Sequence, residues 1–201
     1  MTKNSYAQYA RRVDLKEKIP YNKGMDKKKV IKYVVAGVLT AATIAIIAWI
    51  FSNSLKVAEA SAAQSDSFTQ KVQDVFKVIA PNSFIATATG PDFDALENGI
   101  RVLAHFCEFA LLGAMCFWTY RAYTDKGIWM VAPFSGSALI ALVDEILQHF
   151  TPNRAFEWVD ILTDVGGAWA GCLFAWGTVS IALLVYRKIK AKKEREAESE
   201  L

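Results

Sequence analysis

Four apolar runs dominate the sequence, and each is long enough to cross a lipid bilayer as a helix. A bilayer core about 30 Å thick needs about 20 helical residues, and the runs occupy residues 31–51, 102–120, 128–150 and 161–186. Hydrophobic residues make up 53% of the chain and charged residues 21%, so the two kinds are separated along the sequence. This pattern predicts an all-α, polytopic membrane protein with four transmembrane helices.

The first run is expected to stay in the protein as a transmembrane helix. Small residues follow it at 58–63, as they do at a signal-peptide cleavage site. The apolar core of a signal peptide, however, has only about 7 to 15 residues behind a short basic lead. Here a longer run follows a long polar segment, which favours a retained helix.

Lysine and arginine residues near the ends of the spans predict the orientation. Nine of them precede residue 31 and six follow residue 186, whereas segment 52–100 has three against six acidic residues. Both termini are therefore expected to be cytoplasmic, in a multi-pass protein of the plasma membrane. The expected parts are a basic cytoplasmic segment 1–30, a four-helix membrane domain 31–186 with an extracytoplasmic insert 52–100, and a basic tail 187–201 that continues the fourth helix.

The insert is predicted to contain an amphipathic helix. Its apolar residues recur at helical spacing between polar ones over residues 68–79, a pattern typical of helices that lie on a bilayer or over a bundle. Such a helix serves either as a cap on the bundle edge or as a lid. Prolines and glycines in the rest of the insert, residues 80–99, predict a loop, either alone or with a short helix from Phe93 that leads into the second span.

Two classes of function are disfavoured by composition. The basic residues lie on the predicted cytoplasmic face, where attraction to anionic lipid accounts for them, and no interleaved aromatic residues indicate a nucleic-acid partner. The three cysteines, Cys107, Cys116 and Cys172, fall inside apolar spans without metal or redox spacing. We therefore expect them to pack as small apolar residues.

Polar side chains interrupt all four spans at the predicted outer end. They are Ser52 and Ser54 on the first helix, Arg101, His105 and Glu108 on the second, Asp144, Glu145 and Gln148 on the third, Arg154 in the following loop, and Asp160 and Asp164 on the fourth. The three on the second helix have the spacing i, i+4, i+7 and share one face. The sequence thus predicts one polar cluster built from every span.

The charge of this cluster favours a site over a set of helix staples. Glu108, Glu145, Asp160 and Asp164 give four negative charges against two arginines, and such an excess in a partly dry pocket requires a cation, shared protons or both. The alternative is that the residues only join helix ends. For Asp144, His149 and Glu157 taken singly, we expect that role at the water interface.

Several motifs together resemble the VanZ-like family of teicoplanin-resistance-associated membrane proteins. They are "HFCEFALLG", "DEILQHF" and "NRAFEWVDILTDVGGAWAG", preceded by a serine-containing end of the first helix. The family histidine and glutamate correspond to His105 and Glu108, its Asp-Glu-x-x-Gln to Asp144, Glu145 and Gln148, its loop arginine to Arg154, and its last motif to Asp160, Asp164 and Gly167. The insert 55–99 is longer than the usual connection. The resemblance implies a link to lipoglycopeptide (teicoplanin) tolerance.

Two functions fit the cluster. In a membrane enzyme acting on an envelope lipid or a lipid-linked cell-wall intermediate, the catalytic residues are His105, Glu108, Glu145 and Asp160. Asp160 and Asp164 hold a divalent cation, and the substrate-binding residues are Arg101, Gln148, Arg154, Ser52 and Ser54, of which either serine is also a candidate nucleophile. In a binding module, the same net-acidic pocket recognises a lipid head group or the antibiotic without turnover. A purely structural membrane partner and a transporter are further alternatives, and the sequence leaves the oligomeric state open.

Overall fold

The computed structural model describes residues 26–124, 130–152 and 157–199, and these residues form helices with short connections and no strand. The helices are α1 (Lys27–Ser54), α2 (Ala58–Ile79), α3 (Phe84–Thr87), α4 (Pro91–Tyr123), α5 (Val131–His149) and α6 (Trp158–Ser199). The predicted all-α class is confirmed.

Four helices, α1, α4, α5 and α6, are long and apolar enough to cross a membrane. They carry large exposed apolar side chains, such as Ile44, Leu139 and Leu184, which suit contact with lipid better than contact with water. The prediction of a polytopic membrane protein with four transmembrane helices is therefore confirmed.

Two helices extend beyond the apolar runs that predicted them. α4 begins at Pro91, where proline fits the first helical position and Asp92 and Asp94 complement the helix dipole. α6 continues through the basic tail to Ser199. Pairs four residues apart support that extension, with Lys190 Nζ 3.6 Å from a Glu194 carboxylate oxygen.

The helix of the insert is longer than predicted. Apolar spacing indicated a helix over 68–79, whereas α2 begins at Ala58. Residues 58–67 lack a regular apolar stripe but include four alanines, and alanine is the strongest helix former. The helix propensity of these alanines therefore extends α2 beyond the residues that apolar periodicity identifies.

The closest helix contact joins α4 and α6, which run in the same direction. A Cβ atom added at Gly167 or Gly171 would overlap backbone atoms of α4, and one added at Gly113 would overlap backbone atoms of α6. The Cys172 thiol donates to the Gly113 carbonyl oxygen at 3.2 Å. Small residues let the two backbones approach, as in other membrane bundles.

The remaining spans pack around this pair. Buried residues from all four spanning helices, including Ile50, Phe109, Leu112, Ala141 and Ala168, form one apolar cluster. α1 and α5 finish, and α4 and α6 begin, at the same end of the bundle. We call it the insert end, because α2 and α3 connect α1 to α4 there.

We expect the α4–α6 contact to limit stability. Replacing Gly171→Ala puts a methyl group into the Ala110 backbone, which has no flexible side chain to move aside, and overpacking costs about 1 to 3 kcal/mol. The matched control is Gly177→Ala on the same helix, where nothing lies within 4 Å of the added atom. Thermal unfolding in detergent should show a lower Tm for Gly171→Ala only; equal Tm values would contradict this packing.

Candidate functional site

Two acid–base pairs join α4 to α6 at the insert end. Arg101 Nη2 lies 3.8 Å from Asp160 Oδ2, and His105 Nδ1 lies 3.7 Å from Asp164 Oδ1. Both pairs repeat at a spacing of four residues because the helices are parallel and in register. The predicted residues of the second and fourth spans are thus brought together, as pairs across one helix contact.

Asp164 is the most isolated charge of this set. Its side chain is fully buried, and neither carboxylate oxygen has a hydrogen-bond partner among the described residues. Burying a carboxylate without hydrogen bonds is costly. The nearby imidazole of His105 is therefore the main described group that can compensate it, which makes the orientation of that ring important.

Glu145 is also buried, and it ties α5 to the start of α6. One of its carboxylate oxygens accepts a hydrogen bond from the Glu157 backbone amide at 2.7 Å, while the other has no partner among the described residues. An acidic side chain suits this place, since the first amides of a helix lack partners of their own. Glu145 thus has a structural contact and one oxygen left for other chemistry.

Asp144 corrects one sequence expectation. We expected it at the water interface, but its side chain is fully buried. Its carboxylate accepts hydrogen bonds from the Ser54 hydroxyl on α1 and from the Gln148 amide nitrogen at 2.8 Å. Because Ser54 lies on α1, this hydrogen bond between α1 and α5 holds the Asp144 side chain inside the bundle.

A cavity of about 460 Å³ opens between the end of α1, α2 and the first part of α4. Among the predicted residues, Ser54, Arg101, His105 and Glu108 line it. Glu145, Gln148, Asp160 and Asp164 do not line it; Asp160 and Asp164 contact Arg101 and His105 from α6. The predicted cluster is therefore divided into residues of the cavity wall and residues outside it.

The charge of the cavity wall differs from the predicted net-acidic pocket. Its described charged residues are Lys56, Lys71 and Arg101 against the half-buried Glu108. The reason is the insert, which contributes Lys56 and Lys71. The sequence expectations did not include these two lysines in the site. The helical spacing of the polar residues in α2 is the signal that could have grouped Lys71 with the other polar residues of one face.

Three further predictions have separate outcomes. Ser52 is exposed and does not line the cavity. Arg154 lies outside the described residues. Within the described part of the chain, no group of three or more histidine, cysteine, aspartate or glutamate side chains could hold a metal ion. A divalent cation at Asp160 and Asp164 stays a prediction without support from this geometry.

Comparison with known proteins bears on the resemblance seen in the motifs. The model of the family described as VanZ/LLP1 matches residues 39–183, well over half of the chain. The matched segment contains the four spanning helices for most of their length and the whole insert end. The comparisons with curated proteins and with solved structures found no match.

The buried contact between Ser54 and Asp144 should stabilise the bundle. Replacing Ser54→Ala removes the hydrogen bond that its hydroxyl donates to the fully buried Asp144 carboxylate, and losing a partner of a buried acceptor costs about 1 to 3 kcal/mol. Ser52→Ala, two residues away on an exposed face, is the matched control. We expect a lower Tm in detergent only for Ser54→Ala, and an unchanged Tm would mean that Asp144 is satisfied in another way.

Proposed function

This chain belongs to the VanZ/LLP1 family of membrane proteins, and we propose that its cavity binds the anionic head group of a membrane lipid or lipid-linked envelope intermediate. The observation that carries the proposal is the composition of the cavity wall, where three cationic side chains face one carboxylate. Arginine binds phosphate through two parallel hydrogen bonds, and lysine binds it as a point charge.

The apolar part of the cavity wall also favours a lipid. Three side chains of the wall, Phe68, Ile100 and Ala104, are apolar, and Phe68 is exposed. They can contact the first part of an acyl or polyprenyl chain whose head group lies in the cavity. A ligand that is half polar and half apolar therefore fits this end of the bundle.

Lysine and arginine distribution favours an orientation with both termini in the cytoplasm and the cavity on the outer side of the plasma membrane. Binding such a lipid at this place would connect the cavity to teicoplanin tolerance, which the family resemblance implies.

The first test compares two lipids that differ in one group, polyprenyl monophosphate and the uncharged polyprenol. Lys71→Gln and Arg101→Gln should each weaken binding of the phosphate lipid to the detergent-solubilised protein by about tenfold or more, since each removes a charged hydrogen bond. Lys77→Gln is the matched control, because Lys77 is exposed on the same helix and pairs with Asp74 at 2.9 Å.

The measurement is a titration followed by native mass spectrometry at two salt concentrations. Tighter binding of the phosphate lipid, lost at high salt and in the two cavity variants, supports the proposal. Equal binding of polyprenol and its phosphate, or equal loss in the Lys77 control, would overturn it.

A second function, catalysis on the bound lipid, is favoured by the placement of His105. This side chain lines the cavity and also contacts the buried Asp164, and a carboxylate that orients an imidazole is a frequent arrangement for a general acid or base. In this function, Lys71 and Arg101 bind the head group, and His105 accepts or donates a proton.

Turnover and binding predict different behaviour of His105→Gln. If His105 transfers a proton, cells carrying this variant should lose protection against teicoplanin, while the amount of folded protein, its Tm and its affinity for polyprenyl monophosphate hold. Protection equal to that of the native chain would exclude this role. A parallel fall in protein level and protection would assign His105 to stability.

A further inference from the structure

The cavity wall contains more neutral polar groups than a phosphate needs. α2 contributes Ser61, Gln64, Ser65 and Ser67, and α1 contributes Asn53. Ser61, Gln64 and Ser65 follow the i, i+3, i+4 spacing and so share one face of α2. A lipid phosphate requires donors and positive charge, which the cations already supply. The additional groups indicate a ligand with a further polar part.

The serine hydroxyl groups of the α2 wall differ from several hydroxyl groups of the spanning helices. Hydroxyls within helices commonly donate to the carbonyl oxygen four residues earlier, as Thr43 does to Leu39 at 2.9 Å and Thr163 to Val159 at 3.0 Å. The structure gives the three α2 serines no such hydrogen bond within the described part of the chain. Their hydroxyls remain available to a ligand as donors and as acceptors.

Lys56 orients two amide groups of the wall. Its ammonium donates to Asn53 Oδ1 at 2.9 Å and to Gln64 Oε1 at 2.8 Å. Because an ammonium group only donates, both amide oxygens face Lys56, and both NH₂ groups are left to donate elsewhere. The Glu108 carboxylate in the same cavity accepts hydrogen bonds when ionised, so it suits a ligand that donates.

We infer that the head group is a sugar phosphate, with the ring hydroxyls held by the polar face of α2 and by Glu108; this rests on the proposed phosphate site at Lys71 and Arg101. The amide NH₂ groups of the wall donate hydrogen bonds, the Glu108 carboxylate accepts them, and the serines do both. Sugar hydroxyl groups can pair with all of them, because each hydroxyl both donates and accepts. Phe68 in the lining offers an apolar surface to the carbon face of a ring. The volume of about 460 Å³ falls in the usual range of small-molecule sites.

The test uses the full-length protein in detergent and two lipids with the same diester charge, polyprenyl phosphate glucose and polyprenyl methyl phosphate. Two or three hydrogen bonds to the ring should favour the sugar lipid by at least about tenfold. Ser61→Ala/Ser65→Ala should reduce this ratio toward one while affinity for the methyl diester holds. Gln64→Leu should also lower the ratio, whereas Gln70→Leu, on the same helix but outside this cavity, should not.

Each outcome separates the two proposals. Equal affinity for the glucose and methyl diesters overturns the sugar assignment and leaves the phosphate site in place. A sugar preference that survives in the serine double variant overturns the role of α2. Binding of neither diester overturns both proposals. Glucose 1-phosphate is the soluble ligand in this comparison. If it binds as tightly as polyprenyl phosphate glucose, the ligand is a sugar phosphate but not a membrane lipid.

Discussion

The close contact between α4 and α6 is the constraint on which the insert end depends. Gly167 and Gly171 let the two backbones touch, and the parallel direction of the helices repeats the alignment at every turn. One and two turns earlier, the same alignment puts Asp164 beside His105 and Asp160 beside Arg101. Larger residues at the glycines would separate the helices and with them both acid–base pairs.

The arrangement of charge follows from this contact. Arg101 and His105 stand between the α6 carboxylates, Asp160 and the buried Asp164, and any anion in the cavity. An anionic ligand therefore competes with Asp160 for the charge of Arg101. Lys71 lines the cavity and belongs to none of the described ion pairs, whereas Arg101 both lines the cavity and pairs with Asp160 across the helix contact.

The sequence predicted the parts of the site that follow from helical periodicity. Spacing on the second and fourth spans identified Arg101, His105, Asp160 and Asp164, because residues on one helix face stay together whatever the tertiary structure. The position of the insert does not follow from periodicity, so the two lysines of the cavity wall were missed. The burial of Asp144 was missed for a similar reason, since its partner Ser54 belongs to another helix.

The two walls of the cavity are held by different forces, and this suggests a division of roles. The α4 wall is fixed by tight backbone packing on α6. α2 is held by polar contacts, such as Gln73 to the Ala88 carbonyl oxygen at 2.8 Å, while Val75, Val78 and Ile79 remain exposed. Segments with few buried apolar contacts open at low free energy. In the two proposals, discrimination between head groups is therefore assigned to the adaptable α2 wall, and catalysis to the fixed α4–α6 pair.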